Sequence, residues 1–294
     1  MASLSNKVFA ITGGASGMGL ATGVRLARAN AKAICIGDFN SQALEGARDQ
    51  LLAANSKTEV LTTKVDVSSS SSVQGWINEI IEKFGALDGA VNCAGVAQKV
   101  MARKSPTILE ETDETWEHTI GVNLNGVFFS TRAEVQAMVK LDKAPRSIVN
   151  IASMASMVHG PDCYAYGVSK RAVASLSTSV SKDVLPFGIR VNTVSPCMFP
   201  HISYFLPTPR HNHYALGFAA SLRKPRRPAA EKFSLSQWLL IAILDPRPYT
   251  SCSSVTTRNI WLIALFLTSS CNQHPHAFTV LRCKCSNGWR HYGL

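Results

Sequence analysis

The 294-residue sequence lacks any apolar run long enough to cross a bilayer: its longest, 238–244 and 260–267, fall far short of the roughly 18 residues that a spanning helix needs. No membrane partner is expected. The start, MASLSNKVFA, has no basic stretch followed by an apolar core, so no secretory leader is read there and a cytoplasmic location is expected. Paired cysteines are missing too. Cys35, Cys93 and Cys163 lie singly in or beside apolar stretches, as small buried hydrophobes do. Cys271, His274, His276, Cys283 and Cys285 lack the C-x2-4-C and H-x3-5-H spacings of structural zinc sites, so no metal is expected.

Acidic residues are scarce in one place only. The net charge is +11, but residues 198–294 hold 11 Lys and Arg against two acids, Glu231 and Asp245, which leaves +2 for the first 197 residues. The basic character belongs to the tail. A nucleic-acid partner should come with a recognisable binding module, and none is present; the run Arg223-Lys224-Pro225-Arg226-Arg227 is read as solvated.

What is present is an alternation. Apolar strand-like runs at 7–12, 33–37, 60–67, 88–95, 147–153 and 189–195 are separated by segments of helical period at 17–29, 40–54, 72–85, 113–139 and 164–185. Six short strands separated by helices specify an α/β fold, a doubly wound, mostly parallel sheet of Rossmann type with right-handed crossovers. The serines at 68–72 are expected to cap the third helix and run into it. Residues 1–196 are read as one dinucleotide-binding and catalytic domain, and 197–294 as an irregular tail.

Directly after the first strand stands Thr12-Gly13-Gly14-Ala15-Ser16-Gly17-Met18-Gly19. A tight turn, close approach of backbone to a pyrophosphate and close helix–strand packing each exclude a Cβ, and the helix N-terminus offers free N–H groups to an anion. Asp38 ends the second strand, where a carboxylate can accept hydrogen bonds from an adenosine ribose. With no Arg or Lys at Ser16, Phe39 or Asn40 to offset it, its charge favours NAD over NADP. A helix N-cap is the competing role for Asp38.

The sequence resembles the short-chain dehydrogenase/reductase family, including fungal members of secondary metabolism. T-G-x-x-x-G-x-G appears at Thr12 to Gly19, and the N-N-A-G turn as Asn92-Cys93-Ala94-Gly95. Asp66-Val67 matches the pair that contacts the adenine, Val122-Asn123-Leu124 the segment with the family's catalytic Asn, and Tyr166-Gly167-Val168-Ser169-Lys170 gives Y-x-x-x-K 13 residues beyond Ser153. The resemblance implies cofactor contacts from Thr12, Gly13, Ser16, Gly17, Met18, Gly19, Asp38, Asp66, Val67, Asn92, Ala94, Gly95, Tyr166 and Lys170. It implies a catalytic set of Asn123, Ser153, Tyr166 and Lys170, with Asn123 holding a water that links the lysine to solvent.

The chemistry agrees. Tyr166 and Lys170 share a helix face, and a nearby ammonium together with a positive nicotinamide should lower a phenol's pKa from about 10. Ser153 would hold the reacting oxygen against Tyr166 while hydride moves at carbon. Tyr164 has Val168, not a lysine, four residues on, and is set aside. The implied activity is NAD(P)-dependent interconversion of a secondary alcohol and a ketone. The partner is a small molecule, and apolar Met154, Met157, Val158 and Phe199 suggest an alicyclic or aromatic one. The segment 96–112 and the region after Pro196 would line its site. A homo-oligomer through the helix carrying Tyr166 is also implied.

The family pattern fails after Pro196. Cys197 replaces the usual glycine, and Phe199 a small aliphatic; eight prolines and six histidines follow in 198–294. Prolines at 200, 207, 209, 225, 228, 246 and 248 interrupt the windows in which lid helices are expected. Residues 260–270 and 279–289 faintly echo the final helix and strand. The abrupt change predicts that 198 to about 278 is not an evolved domain but a retained intron, frameshift or misassembled reading frame. It also predicts a sheet without a secure last strand. The alternative function is a dinucleotide-binding protein without turnover.

Overall fold

Strands β1 (Val8–Thr12), β2 (Ala33–Asp38), β4 (Gly89–Asn92) and β5 (Arg146–Ile151) are buried at nearly every position, as strands covered on both faces must be. The computed structural model describes residues 4–97, 104–157 and 161–196, with the backbone of 261–265, 278–285 and 288–292. Strand alternation divides the interior in two. Phe9, Ile11, Ile34 and Ile36 point to one face and join Leu26 of α1 (Gly17–Arg28) with Leu44 and Leu51 of α2 (Ser41–Ala54). Val8, Ala10, Ala33 and Cys35 point to the other. They join Trp76, Ile77 and Ile80 of α3 (Ser70–Phe84) with Ala133 and Met138 of α5 (Gly126–Met138). Each fully buried aliphatic contributes about 1.5–3 kcal/mol, so period-2 patterning between two helical layers carries most of the stability.

The sheet order is β3-β2-β1-β4-β5-β6-β7-β8-β9, with β3 at Glu59–Lys64 and β6 at Ile189–Val194. β1 to β6 are parallel. The chain runs outward from β1 to β3 and then returns to β4 on the other side of β1. This reversal opens a crevice at the carboxyl ends of β1 and β4. The expected doubly wound parallel sheet is therefore present. As expected, Ser69 caps α3 by accepting a hydrogen bond from Ser72 N at 3.3 Å.

Three expectations change. The helix predicted over 113–139 is continuous but not uniform: α4 (Asp113–Ile120) passes through a π turn (Gly121–Asn125) into α5. The wider turn adds a residue where Asn123 sits, a placement that π turns commonly serve. Next, Asp38 is not the cap of α2; Asn40 is, and Asp38 Oδ1 accepts from Asn40 N. Last, β6 is not left bare. β7 (Trp261–Leu265) lies parallel to it, and β8 (Phe278–Cys285) and β9 (Gly288–Tyr292) follow antiparallel. Residues 261–265 are thus a strand and not an echo of a helix. WLIAL is short, apolar and unbroken, which suits a sheet better than an amphipathic helix. Val158, Phe199, the basic run at 223–227 and the rest of 197–260 lie outside the described residues. The side chains of the tail cysteines and histidines do too. Among the described residues no helix is long and apolar enough to cross a membrane, and no cluster of three metal-ligating side chains occurs.

Candidate active site

The crevice is lined first by the loop from β1 to α1. Gly13 has φ +64°, and a Cβ there would lie 2.8 Å from the backbone of Ala94. A Cβ on Gly19 would run into the carbonyl oxygen of Gly13. The loop is therefore wound on itself and pressed against the turn after β4. Thr12 is buried and holds that junction: its Oγ1 accepts from Cys93 N at 3.1 Å and Ala94 N at 3.2 Å. Ser16 is the N-cap residue of α1, yet its exposed side chain makes no cap hydrogen bond, so its hydroxyl is not spent on the helix N-terminus. Met18, next in α1, packs partly buried against the core.

Asp38 stands at the far side of this loop. Its Oδ2 accepts from Ala15 N at 3.0 Å and its Oδ1 from Asn40 N at 2.9 Å, which ties β2 to the loop. Both oxygens retain lone pairs for a ribose. Register adds a residue that sequence spacing missed. Lys64 pairs with Asp38 across β2 and β3, and its Nζ lies 5.8 Å from the centroid of the Phe39 ring. A cation therefore stands beside Asp38 and Phe39. Asp66 Oδ1 accepts from Ser68 N and Oγ, and Val67 is buried against Gly126.

The turn after β4 divides its labour. The Asn92 side chain points into the interior, where its Nδ2 donates to Asn150 Oδ1 at 2.9 Å and Glu134 Oε2 at 3.1 Å; only its backbone remains for the crevice. Gly95 faces the crevice, with Asn123 Oδ1 and Lys170 Nζ 3.1 and 3.4 Å from where its Cβ would be. Asn123, wholly buried in the π turn, accepts from Val96 N at 2.8 Å and donates to Val96 O at 2.9 Å. It clamps the chain as it leaves the cradle.

Opposite, the end of β5 is pinned to β6 by Ala152 N donating to Val194 O and Met154 N to Pro196 O. Ser153 is held between these bonds, and its side chain hydrogen-bonds Tyr166 on α6 (Tyr164–Val184). Lys170, buried one turn on, donates to Ile151 O at 2.9 Å, and its Nζ is 5.9 Å from the centroid of the Tyr166 ring. Thus Ser153, Tyr166, Lys170 and, behind Gly95, Asn123 meet at one end of the crevice.

Burial dominates the electrostatics of this pair. Burial raises the Tyr166 phenol above its ordinary value, and only the Ser153 hydrogen bond works the other way. Burial pushes Lys170 down to about 8. Desolvation disfavours the charged form of each group, so proximity alone does not make a phenolate. The adjacent thiol of Cys93 is likewise pushed up by burial, to about 12, and is no nucleophile.

The sequence pattern of the short chain dehydrogenase family matches residues 7–200. Chanoclavine-I dehydrogenase of Arthroderma benhamiae is 52% identical over 199 residues, 67% of this chain and 81% of that protein. Its counterpart in Penicillium roqueforti is 49% identical over 209 residues, 70% and 80% of the two chains. Among solved structures, levodione reductase superposes with a TM-score of 0.62 at 30% identity, over 66% of this chain and 72% of that one. NAD+-bound xylitol dehydrogenase gives 0.61 at 31% identity, over 67% and 72%. With fold, order of motifs and sequence in agreement, this chain belongs to the short chain dehydrogenase family and is an NAD(P)-dependent oxidoreductase.

Proposed function

We propose that the chain is an NAD-dependent alcohol dehydrogenase acting on chanoclavine-I or an alcohol much like it. The meeting of Ser153, Tyr166 and Lys170 beside the glycine cradle carries this reading. The substrate class rests on the relatives that are 49–52% identical.

The cradle fits a dinucleotide. The wound loop, the free N-terminus of α1 and the Ser16 hydroxyl suit a pyrophosphate. Asp38 would accept from the adenosine ribose, and Asp66, Val67 and the backbone of Asn92, Ala94 and Gly95 would border the adenosine and the adjoining ribose. A bound nicotinamide dinucleotide supplies the hydride acceptor. The protein's own part is the proton. Tyr166 Oη takes it from the substrate hydroxyl as the carbon–hydrogen bond breaks, leaving a carbonyl compound. Ser153 Oγ donates to the same oxygen and fixes its place. Lys170 spends one donor on Ile151 O and keeps two for the nicotinamide ribose. Burial raises the phenol, and a positive nicotinamide beside it would favour the phenolate that accepts the proton. Asn123 holds Val96, and through it the wall next to Lys170.

Asp38 makes NAD the preferred cofactor, and Lys64 moderates that preference. The test is NAD- and NADP-dependent oxidation of chanoclavine-I and a panel of primary and secondary alcohols by the full chain. Turnover with NAD on the bulky alcohols supports the reading. Cofactor binding without turnover of any alcohol would establish the inactive alternative instead.

A further inference from the structure

Ser153 and Tyr166 reach each other from different elements. β5 ends at Ile151, and Ser153 stands two residues beyond it, in extended backbone at the start of the 3-10 turn Met154–Ser156. Its Oγ accepts from Ala155 N at 3.2 Å. A hydroxyl has one proton and two lone pairs, so this bond occupies a lone pair and leaves the proton free. Its hydrogen bond lowers the Tyr166 phenol, as donation to the charged form does. Such a pair has to be held within about 0.5 Å of its productive geometry.

Ser156 supplies the holding. It is 4% exposed, and its Oγ donates to Ser153 O at 2.6 Å while its N donates to the same oxygen at 2.9 Å. A serine that bonds back to the carbonyl three residues earlier is a common local device. The next bond is not local. Ser156 O accepts from Arg171 Nη1 at 3.3 Å, 15 residues on. Arg171 follows Lys170 on α6, the helix that also carries Tyr166. The contacts form a closed ring: Ser153 to Ser156, Ser156 to Arg171, Arg171 through α6 to Tyr166, and Tyr166 back to Ser153.

We propose that Ser156 is a positioning residue for the proton-transfer step: bonded to Ser153 on one side and to Arg171 on the other, it fixes the Ser153 hydroxyl at hydrogen-bonding distance from Tyr166. The proposal rests on the dehydrogenase reading. Ser156 takes no proton itself and acts through Ser153. Without its hydroxyl the turn keeps its backbone bond, but Ser153 is tied less firmly and its donation to the phenol weakens.

The experiment uses the full chain with Ser156→Ala, Ser153→Ala, the double variant and Arg171→Met. It measures kcat against pH on chanoclavine-I with saturating NAD, NAD affinity by calorimetric titration, and hydrogen exchange of the Ala155 amide. Ser156→Ala should lower kcat about fivefold, the loss of one neutral hydrogen bond, and leave NAD affinity within about twofold. The acid limb of its pH profile should move to higher pH, because the bond that lowers the phenol is weakened. In the Ser153→Ala background the same substitution should change kcat no further, since the group it acts on is gone. Arg171→Met releases Ser156 from the other side and should reproduce the loss and the shift. In both single variants the Ala155 amide should exchange faster as Ser153 Oγ leaves it. A fivefold loss that persists without Ser153, an acid limb that stays in place, or an equal loss of NAD affinity overturns the proposal. A wild-type chain that oxidises no alcohol defeats the dehydrogenase reading separately. Exchange at Ala155 then decides the ring by itself, and an unchanged rate overturns it.

Discussion

Glu134 lies on the buried face of α5, 1% exposed, under β4 and β5. Its Oε2 accepts from Asn92 Nδ2 at 3.1 Å, while Oε1 is buried without a hydrogen-bond partner. Burial pushes its carboxyl from 4.5 up to about 8. At neutral pH the folded chain therefore keeps Glu134 protonated, while the unfolded chain ionises it. The folded state binds the extra proton between 4.5 and 8, so stability is full below 4.5, falls as pH rises through that window, and levels above 8. At about 1.36 kcal/mol per unit, the loss across the window is about 5 kcal/mol. Glu134→Gln cannot ionise. Its amide oxygen can still accept from Asn92, but its NH2 sits where Oε1 found no partner, a cost of about 1–3 kcal/mol at all pH values. We therefore predict that the variant is the less stable protein at pH 5 and the more stable one at pH 9, with a relative swing of about 4 kcal/mol between them. Urea unfolding of both proteins at pH 5, 7 and 9 measures it. Other titrating groups are common to the pair and cancel in the difference. Parallel stability curves, differing by a constant at all three pH values, would refute the argument that this carboxyl is folded in as a neutral acid.

Four further outcomes are expected. Tyr166→Phe should keep NAD affinity and lose turnover by about 10²-fold or more, as loss of a general acid–base group does; retention of more than about a tenth of the rate would remove Tyr166 from the proton path. Lys170→Met should weaken NAD binding and rate together. Because burial lowers this ammonium from 10.5 to about 8, wild-type stability should gain on the variant by about 3 kcal/mol as pH rises from 8 to 10.5, and urea unfolding that shows no relative change counts against it. Lys64→Met should weaken NADP binding while leaving NAD binding within about twofold, the effect of a lost exposed charge; calorimetric titration with both cofactors checks this, and an equal loss for each means that Lys64 does not sense the 2′-phosphate. Gly19→Ala should abolish cofactor binding, since the new methyl group meets the Gly13 carbonyl; NAD affinity equal to wild type would show that the loop relaxes around it.

Much of the fold was legible in the residues. β1 and β2 were placed to within one residue at either end, because an unbroken apolar run between polar turns is a local signal. The cluster of Ser153, Tyr166 and Lys170 followed from family spacing and helical period. Asn92 was legible as a residue but not as a direction: its side chain turns into the Glu134 network and leaves only backbone to the crevice. Glu134 itself was hidden because α5 inverts the usual pattern, burying Ser130, Thr131 and Glu134 while Phe128 is 39% exposed beside Arg132.

By itself the sequence determined the alternation of strands and helices, the glycine cradle and the pairing of Tyr166 with Lys170 on one helix face. These depend on periodicity and on neighbours within one helical turn or one loop. Tertiary structure alone decided that Lys64 stands level with Asp38, that Arg171 reaches Ser156, and that burial rather than charge proximity governs Tyr166 and Lys170. The physical reason is that register and desolvation are set by which distant segments exclude water from each other, and no local pattern encodes that.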